Sequence, residues 1–142
     1  MQVARTVIRI DAVAALDRSP ERTLADHARV AGADEAAEWR VERELGLATL
    51  VSLELLAEVA DDDGVSRVLV GRISGLTFYG GQEEANEIHA REMVSSTLDD
   101  IAGALATHGV VARPAALALV PVAITNDGDV TLRLAKGRRP SS

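Results

Sequence analysis

The chain has 142 residues, enough for one domain with its own core and too few for two comfortable ones. Hydrophobic residues make up 47 % of it, which excludes a disordered polymer, and a formal net charge of −7 disfavours a nucleic-acid partner because acidic surfaces repel phosphates. Cysteine is absent, so disulfides, thiolate nucleophiles and thiolate-ligated zinc are excluded together.

Residues 3 to 10 alternate. Val3, Arg5, Val7 and Arg9 fall on one side, and Ala4, Thr6, Ile8 and Ile10 on the more apolar other. Their β-branched content predicts a strand. The arginines inside this stretch, and the lack of a long apolar run, speak against a secretory signal. No stretch reaches the ~20 apolar residues that span a bilayer. The expected location is cytoplasmic, with no membrane partner.

Ser19-Pro20-Glu21 predicts a helix start: serine for the cap, proline for the first turn, glutamate for the positive dipole end. Leu24, Ala28 and Ala31 supply a thin apolar stripe, and Gly32 a stop. Asp34 opens a second short helix that ends near Leu45-Gly46. The stretch that follows carries two competing periods. Val51, Leu53, Leu55, Ala57 and Val59 alternate as in a strand, yet Leu, Ala and Glu favour helix. Asp61-Asp62-Asp63-Gly64 before Val65 to Val70 decides for a hairpin, because aspartate and glycine between apolar runs make a turn. The strands are expected at about 49–60 and 65–73, with an extension through Tyr79; one helix over about 35–60 is the alternative. Gly71 and Gly75 mark bulges or close backbone approach.

Residues 82–108 predict one long amphipathic helix. Ala90, Val94, Leu98, Ile101, Leu105 and His108 form its stripe, Arg91, Ser95, Ser96, Asp99 and Asp100 its polar face, and Gly109 its stop. A second hairpin is expected from Ala116–Thr125 and Val130–Leu134 around Asn126 to Asp129, with Pro121 on an edge or bulge. Together these give an α+β fold of two layers: a mostly antiparallel sheet of four or five strands built from hairpins, the long helix on one face, and shorter N-terminal helices. Residues 1–136 read as one domain. Residues 137–142 read as a flexible tail in the basic stretch that Lys136, Arg138 and Arg139 provide.

Candidate chemistry is sparse. His89 and Glu92 share a helix side with Glu87 near, a set that would bind a small ligand or exchange protons. Two or three such groups read more simply as a solvated face, and no metal or cofactor is expected. Glu35, Glu38 and Glu42 would line one helix side, with Arg40 and Arg43 as ordinary ion-pair partners. Asp61-Asp62-Asp63 lacks the spacing of a calcium loop. His27 has no nucleophile partner nearby. There is no Gly-x-Ser-x-Gly elbow, phosphate loop or dinucleotide fingerprint. The aromatics are only Trp39, Phe78 and Tyr79. They are either core or anchors for a partner. A core poor in aromatics buries less area per side chain, which points to self-association as a dimer or tetramer.

Leu53-Glu54-Leu55 and Val59, then Gly64 and Val68-Leu69-Val70, then Gly75-Leu76-Thr77-Phe78, then Ala90-Arg91-Glu92 at the front of a helix, and finally Leu117, Leu119 and Pro121 follow a definite order. That order resembles the SecB-type export chaperones: a long hairpin, a segment ending in glycine and an aromatic, a helix, and an extended proline-containing stretch. In this chain Glu87-Ile88-His89 stands where the family has Phe-Pro-Tyr, and aromatics are far fewer. The resemblance implies a tetrameric binder of unfolded polypeptide, and none of the family's binding residues carries over. The reading is therefore a non-enzymatic, homo-oligomeric binding or assembly protein with itself, or another polypeptide, as partner. The alternatives are a small-molecule-binding domain or enzyme with a subunit-interface site at His89 and Glu92, and a structural component of a larger particle.

Overall fold

The computed structural model of the chain describes residues 5–17, 20–45 and 48–126. The elements run β1 (Thr6–Leu16), α1 (Pro20–Ala31), α2 (Ala33–Glu44), β2 (Ala48–Asp61), β3 (Gly64–Tyr79), α3 (Glu83–Ser95), α4 (Leu98–Thr107), α5 (Pro114–Leu117) and β4 (Val122–Asn126). The fold is α+β, with a four-stranded mixed sheet in the order β3-β2-β1-β4.

The sheet is mixed and not purely antiparallel, so the pairing expected from hairpins does not extend to every strand. Among the described residues, β2 and β3 are joined by a tight turn, whereas β4 reaches the side of β1 only after α3, α4 and α5. A connection of that length can deliver a strand in either direction. The first arm of the expected second hairpin is shorter than the sequence implied, because Pro114–Leu117 winds into α5. Pro114 suits a first helical position, where no N–H is needed, and Arg113 before it is extended at φ −84°, ψ 147°. Pro121 sits just ahead of β4, and its carbonyl accepts from Ile10 N–H at 3.0 Å. The second arm, Val130 to Leu134, and the tail 137–142 lie outside the described residues.

β2 settles the competition between helix and strand. Val51, Leu53, Leu55, Ala57 and Val59 are all buried, while Ser52, Glu54, Leu56 and Glu58 are half-buried. Only a strand sends such an alternation to two sides. The turn after it works as the aspartates predicted: Asp63 N–H donates to Asp61 Oδ1 at 2.8 Å, and Gly64 takes φ +128°. β1 runs six residues beyond the expected end. Ile10, Ala12 and Ala14 are buried and so is the intervening Asp11, whereas Thr6 and Ile8 of the expected apolar side are exposed and Val7 of the other side is buried. Along β3 the buried positions are Val70, Ile73, Leu76 and Phe78, so the phase slips twice, the second time between Ile73 and Leu76. Gly75, at φ +83°, takes the backbone conformation that one extra residue in a strand demands.

The expected single helix 82–108 is two helices. Of its expected stripe Ala90, Val94, Ile101 and Leu105 are buried and Leu98 is half-buried, whereas His108 is exposed. The break falls at Ser96-Thr97. Ser96 Oγ donates to Met93 O at 2.7 Å and Thr97 Oγ1 to Val94 O at 2.8 Å. Thr97 N–H also bonds Val94 O, three residues back, instead of the carbonyl four back. Hydroxyls that bond back to helix carbonyls compete with the ladder and loosen or bend it. Thr97 then sits at φ −113°, ψ 14°, and its carbonyl accepts from Ile101 N–H to start α4. α4 ends as the sequence indicated. Gly109 takes φ +76°, its N–H bonds Ala106 O, and Val110 N–H bonds Leu105 O, the paired closure of a glycine-terminated helix.

By their contacts the residues group into two compact units. Among the described residues one comprises 5–13, Leu53–Ile73 and Ala90–Thr125; Ile10, Leu53, Leu55, Ile101 and Leu105 are at its centre, each at most 1 % exposed. The other comprises 14–17, 20–45, 48–52, Ser74–His89 and Asn126, with Leu24, Val51, Leu76 and Phe78 equally buried. In this second unit α1 lies against α2. The β1 end is tied to the start of α1, Thr23 Oγ1 donating to Asp17 Oδ2 at 2.6 Å. Among the described side chains Phe78 is the one aromatic in the core, so that core is otherwise aliphatic.

Candidate functional site

α3 turns the positions of Asn86, Ala90 and Val94 inward. At four-residue spacing these form one buried line, and His89 and Glu92 fall away from it. Glu87, His89 and Glu92 are all exposed, and Glu87 is engaged in an interaction of its own. Among the described residues no three histidine, aspartate or glutamate side chains gather in a way that would hold a metal ion.

The three aromatics are not brought together. Phe78 is fully buried and presents no surface to a partner. Tyr79, next to it, is half-buried, and its peptide is held by Asn86: Tyr79 N–H donates to Asn86 Oδ1 and Asn86 Nδ2 donates to Tyr79 O, both at 2.9 Å. Trp39 lies on α2, and its side chain is outside the described set. Glu38 and Glu42 of α2 share a side, four residues apart. Ala37, Glu38, Val41 and Glu42 line a shallow crevice of about 490 Å³. Val41 is 53 % and Leu45 67 % exposed. With Ala37 they recur every four residues, so one side of this helix is an apolar stripe edged with acid.

The most constrained polar group is one that sequence reasoning passed over. Asp11, in the middle of β1, has a side chain only 5 % exposed. Arg9 Nε lies 2.6 Å from its Oδ1, and Arg67 Nη2 lies 2.9 Å from its Oδ2. Arg9 and Asp11 are two apart on one strand, hence on one face. Arg67 comes from β3, so its side chain must cross the width of β2, about 10 Å at two strand spacings. Burying a carboxylate costs several kcal/mol unless it is paired, and here each oxygen has its own guanidinium. The available signal was Arg-x-Asp inside a β-branched run.

β3 is an outer strand of the sheet, and among the described residues it pairs only with β2. It is 16 residues long, roughly 50 Å. Val65 and Leu69 on it are 60 % and 50 % exposed. Its second arginine, Arg72, is tied back to Glu54 of β2 at 2.6 Å. A long outer strand is ordinarily blunted by free charges, proline or a covering segment. β3 has no proline, and both its arginines are held by acids of its own sheet. No helix among the described residues is long and apolar enough to cross a membrane. No protein-family model matches the chain, and neither a curated protein nor a solved structure matches it significantly.

Proposed function

We propose that this chain is a non-enzymatic binding or assembly protein that works as a homo-oligomer and engages extended polypeptide along β3. The observation that carries the reading is the outer side of β3: a long strand with exposed Val65 and Leu69 and no second strand beside it among the described residues. Unpaired strand amides and carbonyls accept another strand by the same hydrogen bonds that build a sheet. Self-association fits the apolar stripe Ala37, Val41 and Leu45 on α2, which would exclude water against a second copy. The resemblance to SecB-type export chaperones belongs with this reading, as does the aliphatic core, which draws less stability from each side chain it buries.

The test combines light scattering over a range of concentrations with thermal melts and capture of a labelled, permanently unfolded polypeptide. An oligomer whose melting temperature rises with concentration is expected. Val41→Lys with Leu45→Lys should reduce it to monomers that remain folded. A chain that stays monomeric at high micromolar concentration, melts at a fixed temperature and captures no unfolded polypeptide would overturn the proposal.

A further inference from the structure

The outer side of β3 is cleared of charge by its own sheet. Arg67 reaches inward across β2 to Asp11 on β1, and Arg72 is held by Glu54 of β2. A strand added beside β3 would lie one spacing, about 4.8 Å, beyond it, and so about 14 Å from β1. Both guanidinium groups are thereby drawn inward, away from that strand. Charged side chains on an outer strand ordinarily discourage pairing, and here neither fronts the open side. What fronts it is Val65, Ser66 and Leu69, all exposed, with Val68 half-buried. The stretch suited to pairing is short. The alternation of β3 first slips after Val70, so residues 64–70 are its regular run, roughly 23 Å long.

The charge that remains free lies at one end of this run. β3 follows the turn Asp61-Asp62-Asp63. Asp61 is engaged: its Oδ1 accepts from Asp63 N–H, and its Oδ2 lies 3.8 Å from Arg5 Nε. Asp62 and Asp63 are exposed, and neither carboxylate has a partner among the described residues. Asp63 directly precedes β3, so only one strand spacing separates it from the matching end of an added strand. The four-carbon stem of a lysine covers that gap. A second copy of β3 does not supply the cation. Its two arginines are already held by Asp11 and Glu54 of its own sheet.

We infer that residues 64–70 of β3 dock a short extended segment of a partner polypeptide, apolar along its length and basic at the end beside Asp62 and Asp63. The segment's alternate apolar side chains cover Val65 and Leu69, which share one face of the strand. Its basic side chain answers the two free carboxylates. This rests on the reading of β3 as a polypeptide-docking strand and adds the length and the chemistry of what docks.

Three fluorescent peptides test it against the full chain by anisotropy at low salt. All alternate valine and threonine, and both termini carry lysine in one, glutamine in the second and glutamate in the third. The lysine peptide is expected to bind about threefold more tightly than the glutamine peptide, and the glutamate peptide least, an order that added salt compresses. Asp62→Asn with Asp63→Asn should bring the lysine peptide down to the affinity of the glutamine peptide. Val65→Ser with Leu69→Ser, at two exposed positions, should weaken all three peptides and keep their order. A lysine preference that survives the loss of both aspartates belongs to the negative charge of the chain at large and overturns the inference. Equal binding of the three peptides overturns the basic end and leaves β3 as a docking strand. Binding that the serine variant leaves unchanged lies elsewhere and overturns both readings, as does binding of none by a chain that stays monomeric. Self-association that the serine variant abolishes, in a chain that excludes all three peptides, makes a second copy the occupant and overturns the inference as well.

Discussion

Removing both arginines from Asp11 should cost far more than removing Asp11 itself. The reason is the difference in exposure. Asp11 is 5 % exposed and cannot turn to water, whereas Arg9 and Arg67 are about half in it already. Arg9→Gln with Arg67→Gln leaves a buried carboxylate without a cation, a loss of about 3–5 kcal/mol. Arg67→Gln alone removes one charge-assisted hydrogen bond, and Arg9 remains. Half exposure of the arginine brings the nominal ~1.5–3 kcal/mol for such a bond down to about 1. Asp11→Ala frees two arginines that hydrate where they stand, at about 1–2 kcal/mol for the lost bonds. The double arginine loss therefore exceeds twice the single one. Urea unfolding followed by circular dichroism measures it: with a slope of about 2 kcal/mol/M, the double variant should lose roughly 2 M in midpoint. A double variant that loses less than about 1 kcal/mol, or an Asp11→Ala protein less stable than it, would show that the carboxylate does not depend on these partners.

Further expectations come from single positions. Phe78→Ala, at the largest fully buried side chain, should lose about 3–5 kcal/mol, and Phe78→Leu markedly less; equal losses in thermal melts would place the ring outside a packed core. Asn86→Ala strands a backbone donor and an acceptor of Tyr79 and should cost about 2–3 kcal/mol by urea unfolding, against almost nothing if water replaces the amide freely. Gly75→Ala meets only an ordinary contact with Thr23 Cγ2 at 3.6 Å, so its cost, about 1–2 kcal/mol, is backbone strain at φ +83°. Gly71→Ala, with ordinary backbone and Leu55 Cδ1 at 3.5 Å, should be close to neutral, and the reverse order in paired melts would contradict the bulge. Thr97→Ala should cost less than the ~1 kcal/mol usual for a helix cap, because its hydroxyl bonds back to Val94 O and caps nothing ahead of it. A larger loss in the same assay would mean that the hydroxyl supports α4.

Much of this fold is written in local patterns, and the parts that are not have identifiable physical causes. The proline at the first position of α1, the aspartate turn and the glycine that ends α4 act within a few residues, so they are readable one at a time. The strand character of β2 came from its alternation, which outweighed the helix preference of its leucines and glutamates. The break between α3 and α4 was hidden because the apolar stripe continues across it: periodicity reports which side is buried and is blind to two hydroxyls that take the carbonyls. Strand direction was hidden as well, since β4 is placed by a long connection and not by a turn. The Asp11 cluster joins residues 56 positions apart, and its meaning lies in the burial of one carboxylate, which no spacing rule reveals. For His89 and Glu92 the sequence offered residue types and a shared helix, but exposure on α3 is decided by which neighbours turn inward.

The amide of Asn86 stands in for a missing neighbour strand at the end of β3, because it offers Tyr79 the same donor and acceptor that a peptide group would. Asn86 belongs to the first turn of α3, where its own N–H bonds Gln82 O. Proton exchange at the Tyr79 amide is thereby placed under the control of helix winding: the last amide of the strand is released to solvent only when the opening turn of the helix lets go, and the two should be lost from a deuterium time course in a single step.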